Sequence, residues 1–498
     1  MIDCDMLIVT APWTNTRRPL MAPAALKGVI EQHNFTCRTY DINLDFVKLE
    51  DTDPEKFELC KNYFAFGTIV DKNNLPIVQN YVEDIAKFIL AKYNPKYLAV
   101  SVFSYQCQNF SEMFSECIRK MNPDIKLVLG GQGLSTNGIS KDREEIWVER
   151  LKKANVIDHY IVGEGEVAIV NLLKEGKGPG IDNKEWEQQR DLDNIAWPNY
   201  SDYDLDAYNE KSMVITGSRG CVRKCTFCDI TKHWKKFTFR SGESIANEMF
   251  DQSEKHKKYD FQFSDSLVNG SMKAYRDFVR TVAERNRTAK NKITWSGQFI
   301  VRGIKSMTED DWKWTKESGA KNLSLGVESG SEAVRDHMKK QFSNQDMDEF
   351  MEQAHINNVG LTFMMIVGYP TETHEDFMET LRMFKKYKKY KNIIEGVILG
   401  STLAILPGTP LAEQYGEDIT LNDGENFWTY RHNKSLTFQE RIKRRIIAGE
   451  ELKKMGYILG ANDLQIRLLH FLWEIYKKKQ KQNIVDLNTS NVSNQKYS

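Results

Sequence analysis

The sequence predicts an α/β protein: a doubly wound parallel domain, then a partial (β/α)6 barrel, then a small helical C-terminal region. Three observations carry that expectation. Apolar strand patterns alternate with helical ones through residues 1–175 and again from residue 213. A polar, turn-rich stretch separates the two runs, and amphipathic helical periodicity takes over after residue 436. At 498 residues the chain has length for two or three domains with real cores.

In the first run, "MLIVT" (6–10) precedes a helix around 21–33, and "YLAVSVFS" (97–104) precedes one around 109–121. "IKLVLGG" (125–131) and "HYIVGEG" (159–165) continue the rhythm, with glycine turns at the strand ends. Residues 176–210 read as a linker. Six strands follow: "MVIT" (213–216), "FQFS" (261–264), "ITWSG" (293–297), "NLSLGV" (322–327), "LTFMMIV" (361–367) and "GVILG" (396–400). Helical stretches such as 271–286 and 374–388 fill the gaps, so residues 211–410 form six βα units, short of the eight of a closed barrel. Residues 411–481 are the helical region. Ile442, Ile446, Leu452 and Met455 mark one amphipathic helix and Ile466, Leu469, Leu472 and Ile475 a second. The polar tail 482–498 is expected to be disordered.

Composition limits the function. Charged residues are 28% of the chain and balance to a net charge of zero, so no overall field draws the protein to nucleic acid or membranes. Acidic residues precede the first apolar run, unlike a signal peptide. No apolar stretch approaches the roughly 18 residues of a spanning helix. The run "KKYKKYK" (385–391) could stack on and neutralise a single nucleic-acid strand, but lysines also suit a solvated helix end. Cys4, Cys37, Cys60, Cys107 and Cys117 are scattered and sit mostly beside apolar residues, as small core side chains in a reducing cytoplasm would.

The other three cysteines are clustered in "GSRGCVRKCTFCDI" (217–230), and none of the eight follows Cys228. Cys221 lies five residues beyond the first barrel strand, where such barrels place catalytic loops. Thiolates select iron–sulfur clusters and zinc alike. A cubane that only carries electrons needs four protein ligands, so three leave one iron to an added ligand. Two other chemistries fit the same residues: a Cys3His zinc site completed by His233, and a dithiol redox pair in "CTFC".

The CxxxCxxC spacing, with Phe227 before its last cysteine, resembles the signature of the radical S-adenosylmethionine superfamily. The resemblance implies that Cys221, Cys225 and Cys228 hold a [4Fe–4S] cluster whose open iron takes the methionine moiety of S-adenosylmethionine. Reductive cleavage then yields a 5′-deoxyadenosyl radical, with electrons from a flavodoxin or ferredoxin. Matches follow on the later strands. "FQFSDSLVNG" puts Asp265 where the family holds the methionine amino group, although the usual Gly-Gly-Glu pattern is missing there. "WSGQFIVR" offers Ser296 and Gln298, and "LGVESGSEAVRDHMKK" offers Glu328 and Ser329 to the ribose or methionine. "MMIVGYPTET" resembles the motif that packs on adenine, at Ile366. Each of these carboxylates and hydroxyls could equally cap the helix that follows it.

The preceding domain resembles that of the cobalamin-binding class of this superfamily, a Rossmann-like fold, through residues 19–45, "SVFSYQ", "VLGGQG" and "IVGEGE". The class resemblance spans about residues 5 to 410. It implies cofactor contacts at Gly130, Gly131, Gly133 and Gly163, in a crevice beyond the strand ends. None of the nine histidines lies in the D-x-H-x-x-G pattern that ligates cobalt in many such domains. The implied function is cobalamin-dependent methylation of an unactivated carbon, on a substrate the sequence does not identify. The alternatives are radical rearrangement, cyclisation or oxidation without cobalamin, and, from another class, a zinc-stabilised RNA-binding module.

Overall fold

The computed structural model describes residues 1–14, 18–67, 71–135, 146–400, 403–421 and 428–460. The chain divides into two compact units, residues 1–217 with 238–262, and residues 218–237 with 263–498. The second expected C-terminal helix and the tail lie outside the described residues.

The first unit is built on five parallel strands: β1 (Ile2–Thr10), β2 (Cys37–Tyr40), β3 (Tyr93–Ser101), β4 (Lys126–Gly130) and β5 (His159–Ile161). Their spatial order is β2-β1-β3-β4-β5, a doubly wound sheet whose order reverses between β1 and β3. β1 is buried on both faces through Met6–Thr10, which is why it reads as a continuous apolar run. α1 (Met21–Gln32) and α7 (Gly165–Glu175) share one core with Met6, Ile8 and Val128. The opposite face packs on α2 (Ile42–Thr52), α3 (Pro54–Phe66), α4 (Leu75–Lys92), α5 (Gln108–Met121) and α6 (Trp147–Lys153). β2 and the helices α2 to α4 were not anticipated from sequence. "HYIVGEG" divides into β5 and the start of α7, because Gly163 turns left-handed at φ 85° between them.

The second half contributes a six-stranded sheet in the order β13-β12-β11-β10-β9-β6, which contains all six expected strands. They are β6 (Met213–Ile215), β9 (Asp260–Phe263), β10 (Thr294–Phe299), β11 (Ala320–Glu328), β12 (Gly360–Met365) and β13 (Ile394–Leu399). Two-residue strands β7 (Ser218–Arg219) and β8 (Thr238–Phe239) and the one-turn helix α8 (Ile230–His233) accompany the cysteine loop. The intervening helices are α9 (Gly242–His256), α10 (Met272–Thr288), α11 (Glu309–Glu317), α12 (Glu332–His337), α13 (Asn344–Ile356) and α14 (His374–Tyr387). α11, α13 and α14 each start with a capping box, Thr308/Asp311, Ser343/Asp346 and Thr373/Asp376, so their N-termini are written in the sequence.

Beyond the barrel strands come α15 (Pro410–Tyr415), the hairpin β14 (Ile419–Leu421) and β15 (Trp428–Tyr430), and α16 (Phe438–Met455). Residues after α16 return to the sheet edge. The Val397 N–H donates to the Ile458 carbonyl at 2.8 Å, and the Gly460 N–H to the Val397 carbonyl at 3.1 Å. Lys385, Lys386, Lys388, Lys389 and Lys391 are all exposed at the end of α14, while Tyr387 is buried and bonds Asp348, as a solvated helix end requires. Among the described residues no helix is long and apolar enough to cross a membrane.

Candidate active site

Glycines pack closely against both ends of the cysteine loop. Gly220 has φ 83°, and a Cβ there would sit 2.7 Å from the Lys236 carbonyl oxygen. Gly270 lies under the ring of Phe237, 2.3 Å from where a Cβ would stand. Asp265, buried just past β9, accepts the Ser218 N–H at 2.9 Å and so ties the strand end to the entry of the loop. Its own loop is held by Asn269, which bonds both the N–H and the carbonyl of Ile300. In the middle of the cysteine loop, the Thr226 N–H donates to the Met338 carbonyl and the Thr226 hydroxyl pairs with Tyr369 at 2.8 Å.

The three cysteines are free and half-buried, unlike Cys4, Cys37, Cys60 and Cys107, which are buried in the first unit. Burial raises all three thiols above the ordinary range, and each feels the charge of another of the three. Backbone N–H groups point at the sulfurs: Arg223 donates to Cys221 Sγ at 3.4 Å, and Ile230 to Cys228. Among the described residues no three His, Cys, Asp or Glu side chains are gathered tightly enough to hold a metal ion. His233 faces Asp229 at 3.9 Å. Three thiols with N–H···S bonds and a cation nearby have the donor chemistry of a cluster with one open iron.

That cation is Lys340, which sequence reading missed. It is buried and donates to Glu328 Oε1 at 3.1 Å, with its Nζ 5.9 Å from the centre of the Phe227 ring. Burial opposes its charge, but Glu328 and the Cys225 and Cys221 thiolates more than offset that and raise its pKa. Glu328 ends β11 in the left-handed region, at φ 65°, and its carbonyl accepts the Ile366 N–H at 2.9 Å. The end of β11 is thus locked to the segment expected to meet adenine.

Register places the other candidates. Trp295 and Phe299 of β10 pack on Phe278 and Tyr275 of α10, so Ser296 and Gln298 face the other side of the sheet. Gln298 aligns with Ser324, Ser324 with Thr362, and Thr362 with Gly396, one polar row across four strands. Gln298 is exposed on that face and Ser296 partly so. Ser329 is different. Its hydroxyl accepts the Ser331 N–H and meets Thr380 at 3.4 Å, fully buried, so it braces the turn after β11 and does not present a group to a cofactor.

In the first unit, a cavity of about 180 Å³ opens at the C-terminal ends of β1, β3, β4 and β5 against α1 and α7. Gly130, Gly131 and Gly163 line it, together with Ile8, Met21, Ala25, Val128 and Ile169. A Cβ at Gly131 (φ 118°) would lie 2.4 Å from the Val102 carbonyl oxygen, and one at Gly163 would strike the Trp186 ring at 2.2 Å. Gly133 does not line the cavity; it is buried where a Cβ would meet the Ser104 carbonyl oxygen at 2.6 Å, so its role is close packing. The cavity is too small for a corrin ring and has the apolar lining and room for a bicyclic base such as a cofactor's nucleotide tail.

Residues 215–384 match the family model of the radical SAM superfamily. That stretch of the chain is a radical SAM domain. Over 256 residues it is 24% identical to an anaerobic magnesium-protoporphyrin IX monomethyl ester cyclase of Cereibacter sphaeroides, covering 47% of this chain and 41% of that one. The radical S-adenosylmethionine methyltransferase TsrM of Kitasatospora setae, solved with cobalamin and a [4Fe–4S] cluster bound, superposes with a TM-score of 0.60 at 14% identity, over 85% of this chain and 82% of TsrM. The cobalamin-dependent radical enzyme OxsB, with aqua-cobalamin and S-adenosylmethionine bound, gives 0.63 at 14% identity over 94% and 72%. These likenesses establish a Rossmann-like domain joined to a radical SAM barrel, the architecture expected from sequence. The superfamily's cofactors are a [4Fe–4S] cluster and S-adenosylmethionine.

Proposed function

We propose that this radical SAM enzyme methylates an unactivated carbon of its substrate with cobalamin as a second cofactor. The observation that carries the radical chemistry is the half-buried trio Cys221, Cys225 and Cys228 facing the buried Lys340–Glu328 pair. The methyl-transfer step rests on the cavity at the strand ends of the first unit and its glycine cradle, together with a fold shared with two cobalamin enzymes. When bound, the cluster and S-adenosylmethionine supply a one-electron cleavage to a 5′-deoxyadenosyl radical, and cobalamin supplies the transferred methyl group.

The chain's own residues bind and orient. Cys221, Cys225 and Cys228 hold the cluster. Lys340 would offer a cation to the carboxylate of the methionine moiety, Asp265 holds the loop entry, and Glu328 would accept from the sugar hydroxyls. The backbone at Ile366 and the Gln298–Ser324–Thr362 row form the surface on which nucleoside and substrate lie. Gly130, Gly131 and Gly163 would hold the corrinoid's nucleotide tail in the cavity of the first unit. A small reductase such as a flavodoxin or ferredoxin would deliver the electron.

Cells supplied with cobalamin should yield protein with corrinoid absorbance. S-adenosylmethionine labelled in its methyl group should then give labelled product with both S-adenosylhomocysteine and 5′-deoxyadenosine. If no corrinoid is taken up, methylation is wrong. The reading left is radical cyclisation, rearrangement or oxidation, the first favoured by the similarity to the cyclase.

A further inference from the structure

α16 carries three buried arginines at the ends of β12 and β13, and their partners differ. Arg444 donates to Glu372 Oε1 at 2.9 Å and to Glu440 Oε1 at 3.2 Å. Arg441 stacks 3.6 Å over the Trp428 ring and donates to the Trp428 carbonyl at 2.9 Å. Arg445 is only 3% exposed and donates through Nη2 to the carbonyl of Leu399, the last residue of β13. Among the described residues its buried Nη1 has no hydrogen-bond partner. No acid among the described residues acts on it: burial alone lowers its pKa, to about 10, so it stays charged at neutral pH. A buried guanidinium without a counter-ion is strongly unfavourable unless something else compensates it.

Its position narrows the compensating group. Leu399 ends an edge strand at the C-terminal rim, where such barrels receive substrate. The cation beside the three thiols is Lys340, and Glu328 lies on β11, two strands from β13. Arg445 is thus placed away from the methionine end of S-adenosylmethionine. We propose that Arg445 anchors an anionic group of the substrate, a carboxylate or a phosphate, at the end of the sixth barrel strand. This assigns the substrate class of the same radical site and rests on that reading of it. An unpartnered Nη1 on a charged guanidinium suits an oxygen of a carboxylate or a phosphate.

The test is thermal unfolding of the reconstituted full chain at low ionic strength, titrated with inorganic phosphate and, separately, with acetate. Wild type should be stabilised saturably by one of them, and which one identifies the group. In Arg445→Met the half-saturating concentration should rise by about tenfold or more, with Arg445→Lys in between. Exposed Arg287→Met should behave as wild type. Should Arg445→Met not fold, Arg445→Lys is read in its place. The proposal is overturned if the variant that is read keeps the wild-type response, or if wild type responds saturably to neither anion. Iron and sulfide measured on the same samples separate this outcome from failure of the radical reading, which would show as wild-type protein without a cluster.

Discussion

Replacing Lys340 by Met would remove the only basic partner of Glu328 among the described residues and leave a carboxylate stranded inside the barrel. Both members of the pair are less than a tenth exposed and lie 3.1 Å apart. Breaking a buried pair on one side costs about 3–5 kcal/mol, mostly because the remaining charge is uncompensated. For a folding unit of this size each kcal/mol lowers the melting temperature by about 2–4 °C, so Lys340→Met should melt roughly 6–20 °C below wild type. The double variant Lys340→Met/Glu328→Gln should recover most of that loss, since no charge is then left unpaired. The Lys340 pKa is raised on folding, so its stabilisation is complete at neutral pH and fades only as pH rises through the folded value, above about 10.4. Calorimetry on the four proteins of the cycle measures the coupling. Equilibrium dialysis with S-adenosylmethionine should show weaker binding by both single variants, with about four irons retained. A single variant that melts and binds as wild type does would refute the account of this pair.

Other outcomes follow from neighbouring contacts. Asp265→Ala removes the acceptor of the Ser218 N–H, so reconstituted protein should lose its iron faster on dilution than wild type, by iron release against time. Glu372 is held up to about 7 by burial, against the pull of Arg444 and the Gly368 N–H. The folded chain therefore keeps this proton longer than the unfolded chain, and stability should fall as pH rises from about 4.5 through 7. Urea titrations at both ends of that window should show a smaller difference for Glu372→Gln. Ala25→Phe fills the cavity beside Gly131 and Gly163, and should abolish corrinoid uptake while leaving iron content unchanged. Retained corrinoid absorbance would move the cofactor elsewhere.

The parts of the fold legible in sequence were those whose burial is one-dimensional. β1, β3, β11 and β12 are runs of apolar or alternating residues, and α10 and α14 carry helical periodicity along their length. β2 escaped because Cys37–Tyr40 is four residues of mixed polarity that become a strand only by pairing with β1. In the site, spacing alone pointed to Cys221, Cys225 and Cys228. Lys340 did not stand out, since "MKK" after a short helix looks like a solvated end until the fold brings it 3.1 Å from Glu328. Gly133 and Ser329 looked like cofactor contacts because they sit inside motifs, yet one is spent on a close backbone approach and the other on bracing a turn. The Gln298–Ser324–Thr362 row depends on register, which no single strand reveals. The unmatched charge of Arg445 is invisible in an amphipathic helix rich in basic residues.

If the thiols of residues 221–228 hold a cluster that reductively cleaves S-adenosylmethionine, one anaerobic experiment shows it most directly: reconstitute the protein, reduce it, add S-adenosylmethionine, and quantify 5′-deoxyadenosine beside iron and sulfide. About four irons and four sulfides per chain with 5′-deoxyadenosine formed, and both lost in Cys228→Ala, is the predicted result. A Cys221→Ala/Cys225→Ala/Cys228→Ala variant that still carries the cluster, or a loaded wild type that leaves S-adenosylmethionine intact, would contradict it.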